Sequence, residues 1–87
     1  MTPEDKGKIF DNLKVGQMFL AKGVYDGTPF FYIAEVLETD NETIRGRDVW
    51  DVNNDLLGDW SLDRDSFIDD IAELKIVTRE INPEYFL

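Results

Sequence analysis

The chain contains no cysteine and no histidine, and its only serines are Ser61 and Ser66. Without cysteine there can be no disulfide, thiolate zinc site or thiol nucleophile. Without histidine, a general base near neutral pH must be a carboxylate shifted up or a lysine shifted down. Neither serine lies in a Gly-x-Ser-x-Gly turn, and no phosphate-cradling glycine loop or dinucleotide fingerprint occurs. Carboxylate pairs such as Asp63 with Asp65 and Asp69 with Asp70 are expected by chance at this acid content. The sequence therefore predicts a protein that is not an enzyme and holds no cofactor.

Long apolar runs are missing too. Met1 to Ile9 includes Pro3, Glu4, Asp5, Lys6, Gly7 and Lys8 where a secretion signal needs an apolar stretch, and no run approaches the ~20 residues of a membrane helix. The expected location is the cytoplasm. Bases are scarce: nine against nineteen acids, a net charge of −10. That balance repels phosphate backbones and anionic lipid, which argues against direct nucleic-acid or membrane binding and in favour of a basic protein as any charged partner.

What is present suffices for a core. For 10.1 kDa the folded surface should be about 5,300 Å² against roughly 14,600 Å² for the extended chain. Hydrophobic residues make up 43% of the chain, with two Trp, three Tyr and six Phe among them, so burial can offset the chain entropy. A single domain over residues 1–87 is expected.

Thr2-Pro3-Glu4-Asp5 opens a helix over 3–13: Thr2 caps it, Pro3 suits the first helical position, and the acids favour the positive end of the dipole. Turn residues then recur about every ten positions, at Asp26-Gly27-Thr28-Pro29, Asp40-Asn41-Glu42 and Asn53-Asn54-Asp55. Strands are predicted at Gln17–Val24, Phe30–Glu38, Thr43–Val49 and Leu57–Leu62. A short helical turn over Ser66–Ile71, with Ser66 as its cap, and a fifth strand over Leu74–Ile81 follow. The second strand is apolar on both faces, with Phe30, Tyr32, Ala34 and Val36 on one and Phe31, Ile33 and Leu37 on the other. One explanation puts the domain interior against one face and the first helix against the other; a second makes the outer face a partner or dimer surface.

This element order over Val15 to Ile81 resembles the small SH3-like or Tudor-like barrels, although no motif carries the resemblance. The expected fold is mainly β (α+β): a five-stranded SH3-like barrel over 15–81 with an N-terminal helix and a short helical turn before the last strand. An OB-like barrel or an open antiparallel sheet covered by the helix fits the same order. Such barrels host many unrelated functions, so the resemblance implies fold alone. Residues 82–87 form an apolar tail. Pro83 ends the strand near Ile81, and Tyr85, Phe86 and Leu87 are expected to fold back near Phe10 and Leu13 or onto the outer face of the second strand, with docking on another protomer as the competitor.

Charge is distributed unevenly. Between Asp48 and Glu73 lie Asp48, Asp51, Asp55, Asp59, Asp63, Asp65, Asp69, Asp70 and Glu73 against Arg64 alone; nine acids less one base leave −8. Trp50 and Trp60 are interleaved with them. The bland account is a solvated face that aids solubility, with both Trp in the core. A second is a docking surface in which acids steer a basic protein and Trp50 or Trp60 anchors it. A third, mimicry of a nucleic-acid backbone, meets a density about half that of duplex DNA. The expected function is therefore a small acidic binding protein of inhibitor, immunity or nucleic-acid-mimic type, its partner a basic protein such as a nucleic-acid-binding protein; the alternative is an adaptor module that self-associates through an apolar face.

Two weaker signals remain. Asp51, Asn53 and Asp55 occupy the first, third and fifth positions of a calcium-loop pattern, but Leu56 and Leu62 stand where Gly and Glu are needed, so a polar turn is expected and no metal site. Arg45 with Arg47, and Lys75 with Arg79, are expected to share strand faces and to pair with surface acids.

Overall fold

A computed structural model describes residues 1–86. Helix α1 (Pro3–Asn12) precedes strands β1 (Met18–Tyr25), β2 (Thr28–Thr39), β3 (Thr43–Asp51) and β4 (Trp60–Asp63); helix α2 (Arg64–Asp70), β5 (Ile71–Val77) and a 3-10 turn (Pro83–Tyr85) follow. The five strands form one open antiparallel sheet in the order β4-β3-β2-β1-β5. No helix among the described residues is long and apolar enough to cross a membrane.

Local chemistry accounts for most boundaries. The Thr2 hydroxyl accepts from the Asp5 amide at 3.1 Å while the Asp5 carboxylate accepts from the Thr2 amide, a reciprocal capping box. Asp26 and Gly27 both have positive φ, 50° and 79°, as a two-residue type I′ hairpin between β1 and β2 requires. Asp40 closes the next hairpin by accepting from the amides of Glu42 and Thr43, each at 2.8 Å.

Several expected boundaries move. The cap of α2 is Asp63, whose carboxylate accepts from the Ser66 amide at 2.7 Å; Ser66 itself is inside the helix. β4 begins at Trp60 because residues 52–59 form the loop, and β5 runs from Ile71 to Val77, ahead of the expected span. Its end is set by Thr78: the Thr78 carbonyl accepts from the Asn82 amide and its hydroxyl from the Ile81 amide. That turn, rather than Pro83, stops the strand.

The two sheet faces are closed by different means. On the inner face Phe10 of α1, Leu13 just past its end and Phe67 of α2 pack with Phe19, Ala34, Val36, Ile44, Ile71 and Leu74. Rings meet edge to face, Phe10–Phe67 at 5.0 Å and Phe19–Phe67 at 5.6 Å. The helices run antiparallel: Arg64 at the start of α2 grips Asp11 near the end of α1, at 3.0 and 3.2 Å, while Lys6 near the start of α1 reaches the end of α2. The Lys6 ammonium is buried and donates to the Ile68 carbonyl and, at 2.7 Å, to the Ile71 carbonyl. It satisfies orphan carbonyls and puts positive charge at the negative end of a helix whose last turn has no base.

The outer face carries Leu20, Ile33 and Val77, with Met18, Phe31, Val49 and Trp50 around them, and Tyr85 and Phe86 lie across it. Tyr85 meets the Trp50 ring at 5.0 Å and the Phe31 ring at 6.3 Å. The tail therefore folds back onto the outer face of the second strand, one of the two places expected; Leu87 lies outside the described residues. The helix does not cover that face, contrary to expectation. It joins the Ala34 and Val36 side because Phe10 and Leu13 interlock there with Phe67 of α2.

Candidate functional site

The acids of the 48–73 stretch fall into three groups. Asp48, Asp51, Asp55 and Asp59 belong to the end of β3 and the loop leading to β4; Asp63, Asp65, Asp69 and Asp70 belong to α2 and its cap; Glu73 is on β5. β4 and β5 are the two edges of the sheet, and α2 spans between them.

Asp48 organises the loop. One carboxylate oxygen accepts from the Leu57 amide at 3.0 Å and the other from the Trp60 indole at 2.9 Å, while the Asp48 amide donates to the Leu57 carbonyl. Partial burial raises its pKa above the ordinary carboxylate value; these hydrogen bonds offset part of that, and the charges of Asp51 and Asp55 add to the rise. Those three carboxylates thus share one field. Burial, with Asp48 nearby, also pushes the Tyr32 phenol well above its usual range.

Other candidates have internal roles. Asp51 accepts from the amides of Asn53, at 2.8 Å, and Asp55, at 3.3 Å, and serves as a turn residue. Asp59 is held by Arg45 at 2.8 Å, and Arg45 also reaches Glu38. Arg47 pairs with Glu35, as expected for that strand face. Glu73 is 3.6 Å from Lys22. Asp63 caps α2, and its hydrogen bonds with Ser66 hold its carboxyl below the ordinary value. Asp55, Asp65, Asp69 and Asp70 have no ion pair among the described residues. Arg64, the one base in the stretch, turns away to Asp11.

Trp50 and Trp60 lie on opposite faces of the sheet. Trp60 packs on Phe19 at 6.3 Å and Tyr32 at 5.9 Å within the inner cluster, and Trp50 lies beneath Tyr85. Both are half-buried and committed to internal packing, so neither is a free anchor. The exposed apolar groups of the stretch are Val52, Leu56 and Leu57, each more than half exposed. Sequence reasoning passed over them because large aromatics are the stronger signal for an interface. It also missed Lys6, although the signal was there: Lys6 precedes Phe10 by four positions and Leu13 by seven, on the same helix face. Arg79 lies beyond β5 and stacks on the Phe86 ring at 4.7 Å, so it does not share a strand face with Lys75.

A second surface feature adjoins α2. Tyr25, Phe30 and Tyr32 of the first hairpin, with Leu62, Ser66, Asp70 and Ile71, line a groove of about 270 Å³. Among the described residues no cluster of His, Cys, Asp and Glu is arranged to hold a metal ion. Comparison with protein-family models, curated proteins and solved structures finds no match for this chain.

Proposed function

We propose that the protein is a small, acidic, non-enzymatic binding protein of the cytoplasm, whose face between Asp48 and Glu73 engages a basic surface on another protein, as inhibitors, immunity proteins and nucleic-acid mimics do. The supporting observation is the β3–β4 loop. Val52, Leu56 and Leu57 are exposed, Asp51, Asp55 and Asp59 surround them in the chain, and residues 52–59 contain no base. Apolar groups set among acids that outnumber the nearby bases, with Arg79 beside Leu56 and Arg45 on Asp59, suit a docking centre in which carboxylates speed encounter and apolar contact holds the complex. The Asp48–Leu57 and Asp48–Trp60 hydrogen bonds pre-shape the loop, which reduces the ordering cost of binding. The adaptor alternative is less well supported, since Tyr85 and Phe86 cover the apolar face it would use.

We also read the sheet as a partly open SH3-like barrel. The strand order and the α2 connection between the two edge strands support that reading.

Capture of basic proteins from native cell extract tests the function. Binding should be strong at about 20 mM salt and largely lost at about 300 mM, and Leu57→Ser or the pair Asp51→Asn and Asp55→Asn should abolish it. Capture that ignores both salt and these substitutions would overturn the reading.

A further inference from the structure

The groove beside α2 has a composition unlike the rest of the surface. Phe30, Tyr32, Leu62 and Ile71 form its floor and continue into the inner core. Phe30 and Tyr32 lie 5.6 Å apart with their planes tilted by 32°, and both half-buried rings line the groove. Tyr25, which is 65% exposed, stands at its mouth. Among the described residues Asp70 is the one charged residue lining it, Ser66 and Tyr25 are polar neighbours, and no base takes part. Asp70 has no cationic partner among the described residues.

Backbone geometry builds this arrangement. The β1–β5 register shifts between Lys22 and Gly23, so Gly23 stands opposite Ile71. A Cβ on Gly23 would collide with the Asp70 carbonyl and come within 2.7 Å of the Phe30 ring. Only glycine lets the end of α2 and the Phe30 ring close on β1 together. The bulge thereby sets Asp70 beside the aromatic residues, the kind of re-aiming bulges perform.

We propose that this groove receives an arginine side chain of the basic partner, with the guanidinium stacked on the aromatic residues and hydrogen-bonded to Asp70. The inference rests on the acidic-docking reading above and names one contact within it. The occupant follows from complementarity. An anion is repelled by the chain's charge of −10 and finds no cation in the groove. A purely apolar side chain leaves Asp70 desolvated and unpaired. Guanidinium satisfies both parts, since it is planar, weakly hydrated, stacks on aromatic faces and forks onto a carboxylate. Lysine offers a compact, strongly hydrated charge that fits the stacked faces less well.

The test is an NMR titration of the intact protein with a short acetylated peptide carrying one arginine among glycines and serines, using the citrulline peptide as the neutral isostere. Shifts confined to Gly23, Tyr25, Phe30, Tyr32, Ser66 and Asp70, with affinity on the order of millimolar and no binding of citrulline, are expected. Tyr25→Ala and Asp70→Asn, one exposed and the other isosteric, should each weaken binding about threefold to tenfold with the melting temperature unchanged. Equal binding of the citrulline peptide, shifts elsewhere, or full affinity in both variants would overturn the proposal. If it fails while the captured partner still responds to salt and to Leu57→Ser, the groove alone is wrong; if capture also ignores salt, the acidic-docking reading falls with it.

Discussion

The two faces of the sheet contrast in how they are closed. The inner face is sealed by two helices tied to each other at both ends, by Lys6 on the carbonyls of Ile68 and Ile71 and by Arg64 on Asp11. Phe10, Phe19 and Phe67 are essentially inaccessible there. The outer face is covered by a tail that lays half-buried Tyr85 and Phe86 over Leu20, Ile33 and Val77, anchored through the Thr78–Asn82 turn. A polar frame around an aromatic core ties the two helices to each other, whereas a tail held by a few ring contacts is the kind of segment that opens locally below the global unfolding free energy. Function is proposed at the margins of these covers, on the β3–β4 loop, whose Leu56 borders the tail, and at the open end of the inner core beside the first hairpin.

The contrast can be broken most forcefully at Phe67. Phe67→Ala opens a cavity where both helices meet the sheet and should cost about 3–5 kcal/mol, a large share of the stability of a small domain; chemical denaturation should show a lowered midpoint or an unfolded chain. A cost below about 1 kcal/mol would mean that the inner face is loosely packed.

Lys6→Met tests the polar frame. It keeps the stem in place while leaving the carbonyls of Ile68 and Ile71 without their donor, for an expected loss of about 1–3 kcal/mol. Hydrogen exchange should show faster opening of α2 than of β1 to β3. Uniform loss of protection would show that the frame and sheet are one unit.

Tyr85→Ala should cost less, about 1–2 kcal/mol, and expose Trp50 to solvent without loosening α2. A red shift in tryptophan emission at unchanged solution mass is the expected readout. Loss of a dimer would show instead that the tail docks on another protomer.

The smallest effect concerns Asp48 and pH. Its pKa is raised in the folded state, chiefly by burial, so the folded protein binds this proton more tightly than the unfolded chain. Stability from this group therefore falls as pH rises from the ordinary carboxylate value through the raised one. Asp48→Asn removes that dependence together with one acceptor, so its cost should be larger near pH 3 than near pH 7. Denaturation of both proteins at the two pH values checks this; a cost that grows with pH would reverse the assigned direction. Asp5, Asp40 and Asp63 act in the opposite sense, because hydrogen bonds from nearby amides or hydroxyls lower their folded values.

Local signals determined much of this fold. Thr2, Pro3 and Asp5 start α1, Asp26-Gly27 and Asp40 turn the hairpins, and alternation from Phe30 to Val36 marks a strand covered on both sides. These features work through hydrogen bonds and dihedral preferences within a few residues, so the sequence displays them directly. The apolar tail was equally legible as a segment that must be buried somewhere. The acidic stretch, too, was visible as a count of charges.

Only the tertiary structure decided which surface covers which. The helix could satisfy Phe10 and Leu13 on either side of the sheet, and the choice depends on Phe67, more than fifty residues away in the chain. Trp50 and Trp60 went to opposite faces and became packing groups, leaving Val52, Leu56 and Leu57 exposed. Acids that look equivalent in the sequence became a cap at Asp63, a loop anchor at Asp48, an ion-pair partner at Asp59 and a groove carboxylate at Asp70. A carboxylate's role depends on which donors and cations the folded chain brings within about 3–4 Å, and those partners come from elements far apart in sequence.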